Sequence, residues 1–233
     1  MAVPLTPVIA EQLAGTELFA GLGPEALGDV ARLGQVQSLP KDTTLFAQGA
    51  PADRCHALIS GRVRIAQSGA EGGQLIVRFV GPGETFGTVA LFTDRHYPAE
   101  ATTVIDSVEI SWTEPVLLDL IHRHTQIAVN LVKIVGARLR EIQERLRELA
   151  TQPVDQRIAH ALLRLAHTAG GEDASIEFPL TRQDVAAMCG ATLYTVSRIL
   201  TAWEKAGYLA TRRRRVSIQK LSEIRRLAGE IST

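Results

Sequence analysis

Cysteine is scarce in this chain, which has only Cys55 and Cys189 among 233 residues. Two thiols so far apart in sequence cannot build the disulfide framework of a small secreted domain, so both are predicted to be reduced, structural cysteines. Long apolar runs are also missing: none approaches the roughly 18 residues that a membrane span needs. No basic N-terminal region precedes an apolar signal segment. These absences predict a cytoplasmic protein with no membrane partner.

Catalytic motifs are a further absence. The sequence contains no His-Glu-x-x-His zinc motif, no phosphate-binding loop and no nucleophile elbow. A haem or flavin enzyme on a β-barrel would need a convergent set of acid, base or nucleophile residues, and no such set stands out. We therefore predict that the protein is not an enzyme.

Net charge is zero over the whole chain, with 25 Lys and Arg against 25 Asp and Glu. Residues 181–233, however, hold ten basic and four acidic residues, a balance of +6, which leaves 15 basic against 21 acidic, or −6, elsewhere. This asymmetry directs the C-terminal end towards a polyanion. Arg212, Arg213 and Arg214 begin a basic run between two short apolar segments, which predicts the tip of a hairpin that contacts phosphates. A solvated basic loop is the alternative.

Residues 182–200, RQDVAAMCGATLYTVSRIL, have the spacing of two short helices joined by a tight turn. Small Ala186 falls where the helices cross, and Gly190 ends the first helix in a conformation that a Cβ disfavours. Thr181 and Thr192 are placed to cap the two helices. The pattern predicts a helix-turn-helix whose second helix enters a DNA major groove. An ordinary helical hairpin is the alternative.

Short runs rich in Val, Ile and Phe lie between about Val36 and Trp112. The clearest runs cover residues 57–60, 63–66, 75–80 and 104–112. Glycines recur between them at intervals suited to tight turns, which predicts antiparallel strands in a β-roll or barrel that can enclose a small ligand. Ahead of this region, residues 17–19 and 24–33 are predicted to form short helical pieces.

After residue 115 the apolar spacing becomes helical. One stripe alternates steps of four and three residues, as in the seam of a coiled coil, and predicts a parallel dimer. Its dimerisation residues are Val132, Val135, Leu139, Ile142, Leu146 and Leu149. A second stripe is predicted to pack on the β-roll, and it consists of Ile127, Leu131 and Ile134. Pro153 then breaks the helix and marks a candidate hinge. A helix buried within one chain is the alternative to the dimer.

The order of β-roll, long helix, hinge and helix-turn-helix with a basic hairpin resembles the CRP/FNR superfamily of bacterial transcription regulators. ISGRVRI at 59–65 and GPGETFG at 81–87 strengthen the resemblance, which covers nearly the whole chain. It implies an α+β fold with an N-terminal β-roll of the cyclic-nucleotide-binding, jelly-roll type, a long dimerisation helix and a C-terminal winged helix-turn-helix. The implied boundaries are 1–114, 115–152 and 153–233.

The resemblance also implies a homodimer on palindromic double-stranded DNA, with RNA polymerase as a partner if the protein activates transcription. Arg198 matches the family arginine that reads guanine through O6 and N7. Ser197 matches a serine of the FNR branch, and Thr192 and Thr195 match phosphate-contacting hydroxyls. Tyr194 replaces the glutamate of most relatives. We therefore expect the operator to differ at the base pair that this residue faces, where a thymine methyl group could pack against the tyrosine ring.

The effector site departs from that of cyclic-AMP-binding relatives. In those proteins a glutamate of a Gly-Glu pair and an arginine of an Arg-Ser pair hold the phosphate, and the matching positions here are Gly87-Thr88 and Pro98-Ala99. The candidate effector pocket comprises Phe86, Gly87, Thr88, Pro98 and Ala99. Because the charged clamp is missing, we do not expect cyclic AMP to be the effector. An iron–sulfur cluster held by four cysteines is excluded, because the chain has two thiols.

The remaining resemblance is to the nitrogen-oxide-responsive regulators of denitrification, through HYPAEATTV at 96–104 and TLYTVSRIL at 192–200. That branch is thought to sense nitric oxide through haem, so haem is the predicted cofactor. Its candidate axial ligands are His56, His96, His122 and His124. The alternatives are the same regulator fold responding to a cyclic nucleotide or another small molecule, and a sequence-blind structural DNA-binding protein.

Overall fold

The structure, a computed structural model, describes residues 7–69, 71–168, 176, 178–212 and 215–230. The described residues form two compact units. One unit draws on residues 1–68 and 79–141, and the other draws on residues 69–78 and 142–233. The α+β fold predicted from the sequence is confirmed.

The chain begins with helices and then enters the strands of the β-roll. The elements up to the long helix are α1 (Pro7–Ala14), α2 (Pro24–Leu33), β1 (Gln35–Leu39), β2 (Thr44–Phe46), β3 (Arg54–Ser60), β4 (Val63–Ser68), β5 (Gln74–Val80), β6 (Thr85–Phe86), α3 (Thr88–Leu91), β7 (Glu100–Thr103), β8 (Ser107–Thr113) and α4 (Glu114–Arg123). The predicted helix at 24–33 is confirmed, with Pro24 in its first turn.

Two sequence predictions in this region were wrong in detail. Residues 17–19 form turns rather than a helix, because Leu18 and Phe19 are buried in the core and hold the chain in that path. Helix α1 precedes them and was not predicted. The run at 104–112 is not all strand: residues 104–106 bend between β7 and β8, and the Asp106 carboxylate accepts a hydrogen bond from Lys41 N at 2.8 Å.

The strands form two four-stranded sheets. The strand orders are β1-β8-β3-β6 in one sheet and β2-β7-β4-β5 in the other. The register of the first sheet sets Ala57 beside Ile110 and Cys55 beside Trp112, in an antiparallel pairing of β3 with β8. The predicted antiparallel β-roll is therefore confirmed.

Side chains of β3 alternate between two cores, as the period of a strand requires. Cys55, Ala57 and Ile59 belong to a core shared with the helices, in which Trp112 packs edge-on against Phe19 at 4.9 Å between ring centroids. Leu58 belongs to a smaller core of residues from both sheets. Because both faces of the strand are covered, every residue from Cys55 to Ile59 is buried.

Helix α5 (Gln126–Thr151) is the long helix predicted after residue 115. Ile127 lies in the core beneath the β-roll, and Leu131 and Ile134 pack against that core, as predicted for the second stripe. The Asn130 amide donates to the carbonyl oxygens of Leu18 and Ala20 at 3.0 and 2.8 Å. The helix ends at Thr151, before the predicted break at Pro153.

The second unit continues with α6 (Val154–Thr168), α7 (Arg182–Cys189), α8 (Leu193–Lys205), β9 (Leu209–Arg212), β10 (Arg215–Ile218) and α9 (Leu221–Leu227). Strands β9 and β10 pair antiparallel, with Ile218 beside Leu209. Its core is built from helix, hairpin and loop residues together, including the buried Ile158, Phe178, Val196 and Val216. Helices α6, α7 and α8 and the hairpin of β9 and β10 form the winged helix-turn-helix that was predicted.

Candidate nucleic-acid interface and effector site

Each of the two helices of the helix-turn-helix begins after a threonine N-cap. Thr181 Oγ1 accepts from Asp184 N at 3.0 Å, and the Asp184 carboxylate accepts from Thr181 N at 2.8 Å. This reciprocal pair is a capping box. Thr192 Oγ1 accepts from Thr195 N at 3.2 Å. Both predicted caps are confirmed, and α8 begins immediately after Thr192.

Gly190 ends α7 in the left-handed conformation, with φ +57°. A side chain there would be strained, and a Cβ would also lie 3.2 Å from Leu149 Cδ2 of α5. The predicted turn glycine is therefore confirmed. It lets α8 leave α7 at an angle of 114°.

Helix α8 presents a polar face away from its buried side. Val196, Leu200 and Trp203 are buried, whereas the Tyr194 side chain is 78% exposed and Arg198 is also exposed. These two residues are four positions apart and share one face. Thr192 is exposed at the helix start. Ser197 and Thr195 are half-buried.

The predicted basic hairpin is present as β9 and β10. Arg212 is the last residue of β9 and pairs in register with Arg215 of β10. Arg213 and Arg214, which the sequence predicts at the tip, lie outside the described residues. A phosphate contact by this tip stays a prediction.

Arg182, the first residue of α7, is a residue that the sequence reasoning did not single out. Its guanidinium donates to Ser197 O at 3.3 Å, to Thr201 Oγ1 at 3.0 Å and to the Glu204 carboxylate at 3.1 Å, all on α8. One signal was available: a cation is disfavoured at the positive N-terminal end of a helix, so its presence there indicates a partner elsewhere.

The six predicted dimerisation residues form an apolar stripe along α5. Their exposed fractions run from 41% at Val135 to 73% at Val132. Apolar side chains that repeat along one helix face and remain in contact with water are typical of an association surface. The alternative of a helix buried within one chain does not account for this stripe.

The effector region is built around an aromatic cluster inside the β-roll. The Phe86 ring stacks on His56 at 5.1 Å between centroids, and the Phe46 ring stacks on Tyr97 at 3.7 Å. Burial raises the pKa of the Tyr97 hydroxyl, which donates to Arg54 O at 3.0 Å. Phe86, one of the predicted pocket residues, belongs to this cluster.

The predicted pocket residues differ in accessibility. Gly87 has φ +75°, and a Cβ there would lie 3.1 Å from the His56 ring, so only glycine fits without a shift. Thr88 is buried, and its Oγ1 lies 3.0 Å from Cys55 Sγ. Ala99 is buried, whereas Pro98 is exposed and its carbonyl accepts from Gln67 Nε2 at 3.0 Å. These positions surround the aromatic cluster but carry no charge.

A cation on α5 reaches the loop at 81–87. Arg138 Nη2 lies 2.9 Å from Glu84 Oε1 and 3.4 Å from Glu17 Oε2. Burial opposes the charge on Arg138, but the carboxylates of Glu84 and Glu17 outweigh this effect and raise its pKa. Glu84 also accepts from Gly81 N at 2.7 Å. The loop is thus held to the long helix by one arginine, a link that the sequence reasoning missed.

The four candidate haem ligands lie in different surroundings. His56 is buried, with Nδ1 2.8 Å from the Glu109 carboxylate. His124 Nε2 lies 3.6 Å from Asp29, while His96 and His122 are on the surface. The structure does not bring them together. Over the part of the chain that the structure describes, no group of three or more His, Cys, Asp or Glu residues is arranged to hold a metal ion.

No single helix among the described residues is long and apolar enough to cross a membrane. Among the described residues, α7 and α8 taken together have the length and apolar composition of a membrane span, but they are bent sharply at their junction. Both cysteines are buried and free, as predicted.

A chain with a capped helix-turn-helix in one unit and a β-roll in the other is a DNA-binding regulator with an effector domain. Two family matches agree with this class: residues 156–227 match the Crp-like helix-turn-helix domain, and residues 36–124 match the cyclic nucleotide-binding domain.

Two characterised relatives extend over most of the chain. The Cyclic AMP receptor protein of Thermus thermophilus is 31% identical over 83% of this chain and 88% of its own length. The CRP-like cAMP-activated global transcriptional regulator of Mycobacterium tuberculosis is 28% identical over 94% of this chain and 99% of its own length. The chain therefore belongs to the CRP/FNR superfamily of transcription regulators, which are not enzymes.

The solved structure of FixK2 from Bradyrhizobium japonicum has the same fold, with a TM-score of 0.75, 22% identity and coverage of 86% of this chain and 98% of that one. These similarities support the superfamily but not the narrower nitrogen-oxide-responsive branch. They favour the cyclic-nucleotide alternative over haem, and they do not support the expectation that cyclic AMP is excluded.

Proposed function

We propose that the protein is a homodimeric, sequence-specific DNA-binding transcription regulator whose β domain receives a small-molecule effector. The observation that carries this proposal is the face of α8, where Arg198 and Tyr194 point to solvent from a helix capped and packed on its other side. A guanidinium on such a face can form a bidentate contact with guanine. Thr192 and Thr195 stand at its N-terminal end, where hydroxyls can contact phosphate.

The exposed stripe of α5 supports the dimer. A two-fold pair of chains joined along Val132 to Leu149 would cover apolar area that water now contacts. Such a pair would present two copies of α8, which suits a palindromic operator read in successive major grooves. RNA polymerase is the further partner if the protein activates transcription.

A cyclic nucleotide is the effector class to test first. The match to the cyclic nucleotide-binding domain and the names of two relatives favour it. The uncharged Thr88, Pro98 and Ala99 mean that another group would have to balance the phosphate. Arg95 is nearby in sequence, but its guanidinium is paired with Glu114.

Nitric oxide acting through haem is the second effector hypothesis, and it rests on the sequence resemblance alone. The histidines do not fit a haem site as they stand. The His56 ring is packed against Phe86 and bonded to Glu109, so a porphyrin could not approach it without displacing the core. His96 and His122 lack an enclosing apolar pocket among the described residues.

An effector can act only if it binds the DNA-binding arrangement more tightly than the other arrangement. The bond from Arg138 to Glu84 offers a route, because a ligand that moves the 81–87 loop would change a contact with α5. Equal operator affinity with and without the bound effector, at one salt concentration, would rule this route out.

The deciding experiment is selection of bound duplexes from a random pool, with no addition, with cyclic AMP, and with haem plus nitric oxide. We expect enrichment of a palindrome in at least one arm. A sequence-blind DNA-binding protein would instead show a steep salt dependence and little preference among duplexes. If cyclic AMP gives no heat of binding in titration calorimetry and does not alter the selected duplexes, it is not the effector.

The reading residue is tested by Arg198→Ala. Loss of the bidentate contact should remove discrimination at one base pair, worth roughly 1 to 3 kcal/mol. Arg213→Ala is the comparison, and it should weaken all sequences alike. Equal losses on operator and random DNA would contradict the role of Arg198.

A further inference from the structure

The contacts of Arg182 join the two helices of the helix-turn-helix across their crossing. Its guanidinium touches a backbone carbonyl, a hydroxyl and a carboxylate of α8, supplied by Ser197, Thr201 and Glu204. We propose that Arg182 and Glu204 are positioning residues that set the rotation of the recognition helix and so determine base discrimination without touching a base. This inference rests on the proposed reading of DNA by α8.

The three acceptors are spaced so that they fix more than one degree of freedom. Residues 197, 201 and 204 lie along one face of α8, and the first and last are seven positions apart, about 10 Å along the helix axis. Because one guanidinium reaches acceptors that these successive turns supply, its contacts oppose sliding of α8 along its axis as well as rotation about it. The Ser197 carbonyl belongs to the residue immediately before Arg198, so the restraint lies close to the reading side chain.

Both helices also bury apolar side chains, among them Val185 of α7 and Val196 and Leu200 of α8. Apolar burial is non-directional, whereas hydrogen bonds require defined distances and angles. A rotation of about 20° would therefore cost little in burial, yet it would move a side chain on the helix surface by roughly 2 Å. That displacement exceeds the roughly 0.5 Å within which a binding constellation must be held.

The position of Arg182 at the start of α7 agrees with a role through α8. A cation at a helix N-terminus is unfavourable because it lies at the positive end of the helix dipole. The Glu204 carboxylate, 3.1 Å from the guanidinium, offsets this cost. A direct phosphate contact is the competing role, because the Arg182 side chain is 37% exposed. The two roles differ in their salt dependence.

The test uses the full-length protein, the duplex enriched by selection, and variants of that duplex with single base-pair changes. Affinities are measured at several salt concentrations for wild type, Arg182→Lys and Glu204→Gln. We expect each substitution to lower the preference for the selected duplex by about five-fold or more, which corresponds to about 1 kcal/mol, with the slope of log affinity against log salt unchanged. Lysine keeps the charge but loses the planar fork of donors.

Arg226→Lys is the matched control. Arg226 forms an ion pair with Glu223 at 2.8 Å on α9 in the same unit, and its side chain is 66% exposed. The Arg226→Lys protein should prefer the selected duplex as strongly as wild type does. If Arg182→Lys fails to fold by circular dichroism, Glu204→Gln and Thr201→Val decide the matter, since both keep the size of the side chain.

Two results would overturn the inference. One is an unchanged preference in both Glu204→Gln and Arg182→Lys while wild type discriminates normally. The other is a uniform loss on all duplexes with a salt slope lower by about one, which identifies Arg182 as a phosphate contact. A wild-type protein with no preference at all would overturn the proposed function, and this inference with it.

Discussion

Glu148 of α5 and Arg164 of α6 form an ion pair with 2.6 Å between Oε1 and Nη1. The Glu148 side chain is 4% exposed, and a buried carboxylate is costly without a paired cation. Both residues belong to the unit that contains the helix-turn-helix, and the pair joins the last turns of the long helix to α6 within it. One residue further on, Leu149 lies against the turn at Gly190. The end of α5 is thus part of the frame that supports the recognition helix.

Removing Arg164 should therefore be costly. Arg164→Leu leaves the Glu148 carboxylate buried without its partner, and we expect the free energy of unfolding to fall by about 3 kcal/mol in denaturant titration. Arg147→Leu, which breaks the exposed pair with Glu144 on the same helix, should cost less than about 1 kcal/mol. Equal effects of the two substitutions would show that burial of the Glu148 pair does not matter.

The turn of the helix-turn-helix should not tolerate a side chain. Gly190→Ala forces an L-residue into the left-handed region and should lower the free energy of unfolding by about 1 to 2 kcal/mol. It should also weaken binding to the selected duplex, because α8 follows this turn directly. Gly28→Ala, in the exposed middle of α2, should instead stabilise by about 0.5 to 1 kcal/mol. Stabilisation by both substitutions would contradict the turn geometry.

The α5 stripe should hold two chains together. Leu139→Glu places a charge in the proposed seam and should convert a dimer to a monomer in light scattering after gel filtration. Ala137→Glu, on an exposed position of the same helix outside the stripe, should leave the mass unchanged. If the wild-type protein is a monomer at micromolar concentration, the stripe is not a dimer interface.

The two thiols should be unreactive in the folded protein. Burial raises the pKa of Cys55 to about 12 and that of Cys189 to about 11, so neither is a thiolate at pH 8. Labelling with a maleimide should be negligible before denaturation and should reach both thiols afterwards. Because ionisation favours the unfolded chain, these thiols also lower stability as the pH rises above about 8.5. Rapid labelling of folded protein would contradict their burial.

The helix-turn-helix could be predicted closely from the sequence, because its signals are local. Caps at Thr181 and Thr192, the turn glycine Gly190 and the alternation of buried and exposed positions all act within a few residues of one another. The long helix could be predicted as well, since its apolar repeat runs through most of its 26 residues. Residues 17–19 were mispredicted because long-range burial of Leu18 and Phe19 overrides their local preference.

The effector region could not be predicted in the same way. The sequence shows which charges are missing at Thr88 and Pro98, but it does not show that Phe86 stacks on His56 or that His56 bonds to Glu109. These partners are far apart in the chain: His56 and Glu109 are separated by 53 positions, and Arg138 lies 121 positions from Glu17.

Local order in this protein, meaning where helices begin and end and which faces are apolar, follows from the amino-acid pattern because backbone hydrogen bonds and side-chain periodicity act over a few residues. The pairing of Arg182 with Glu204, of Glu148 with Arg164 and of Arg138 with Glu84 required the folded chain. Each is a contact between two elements, and its geometry depends on how those elements pack.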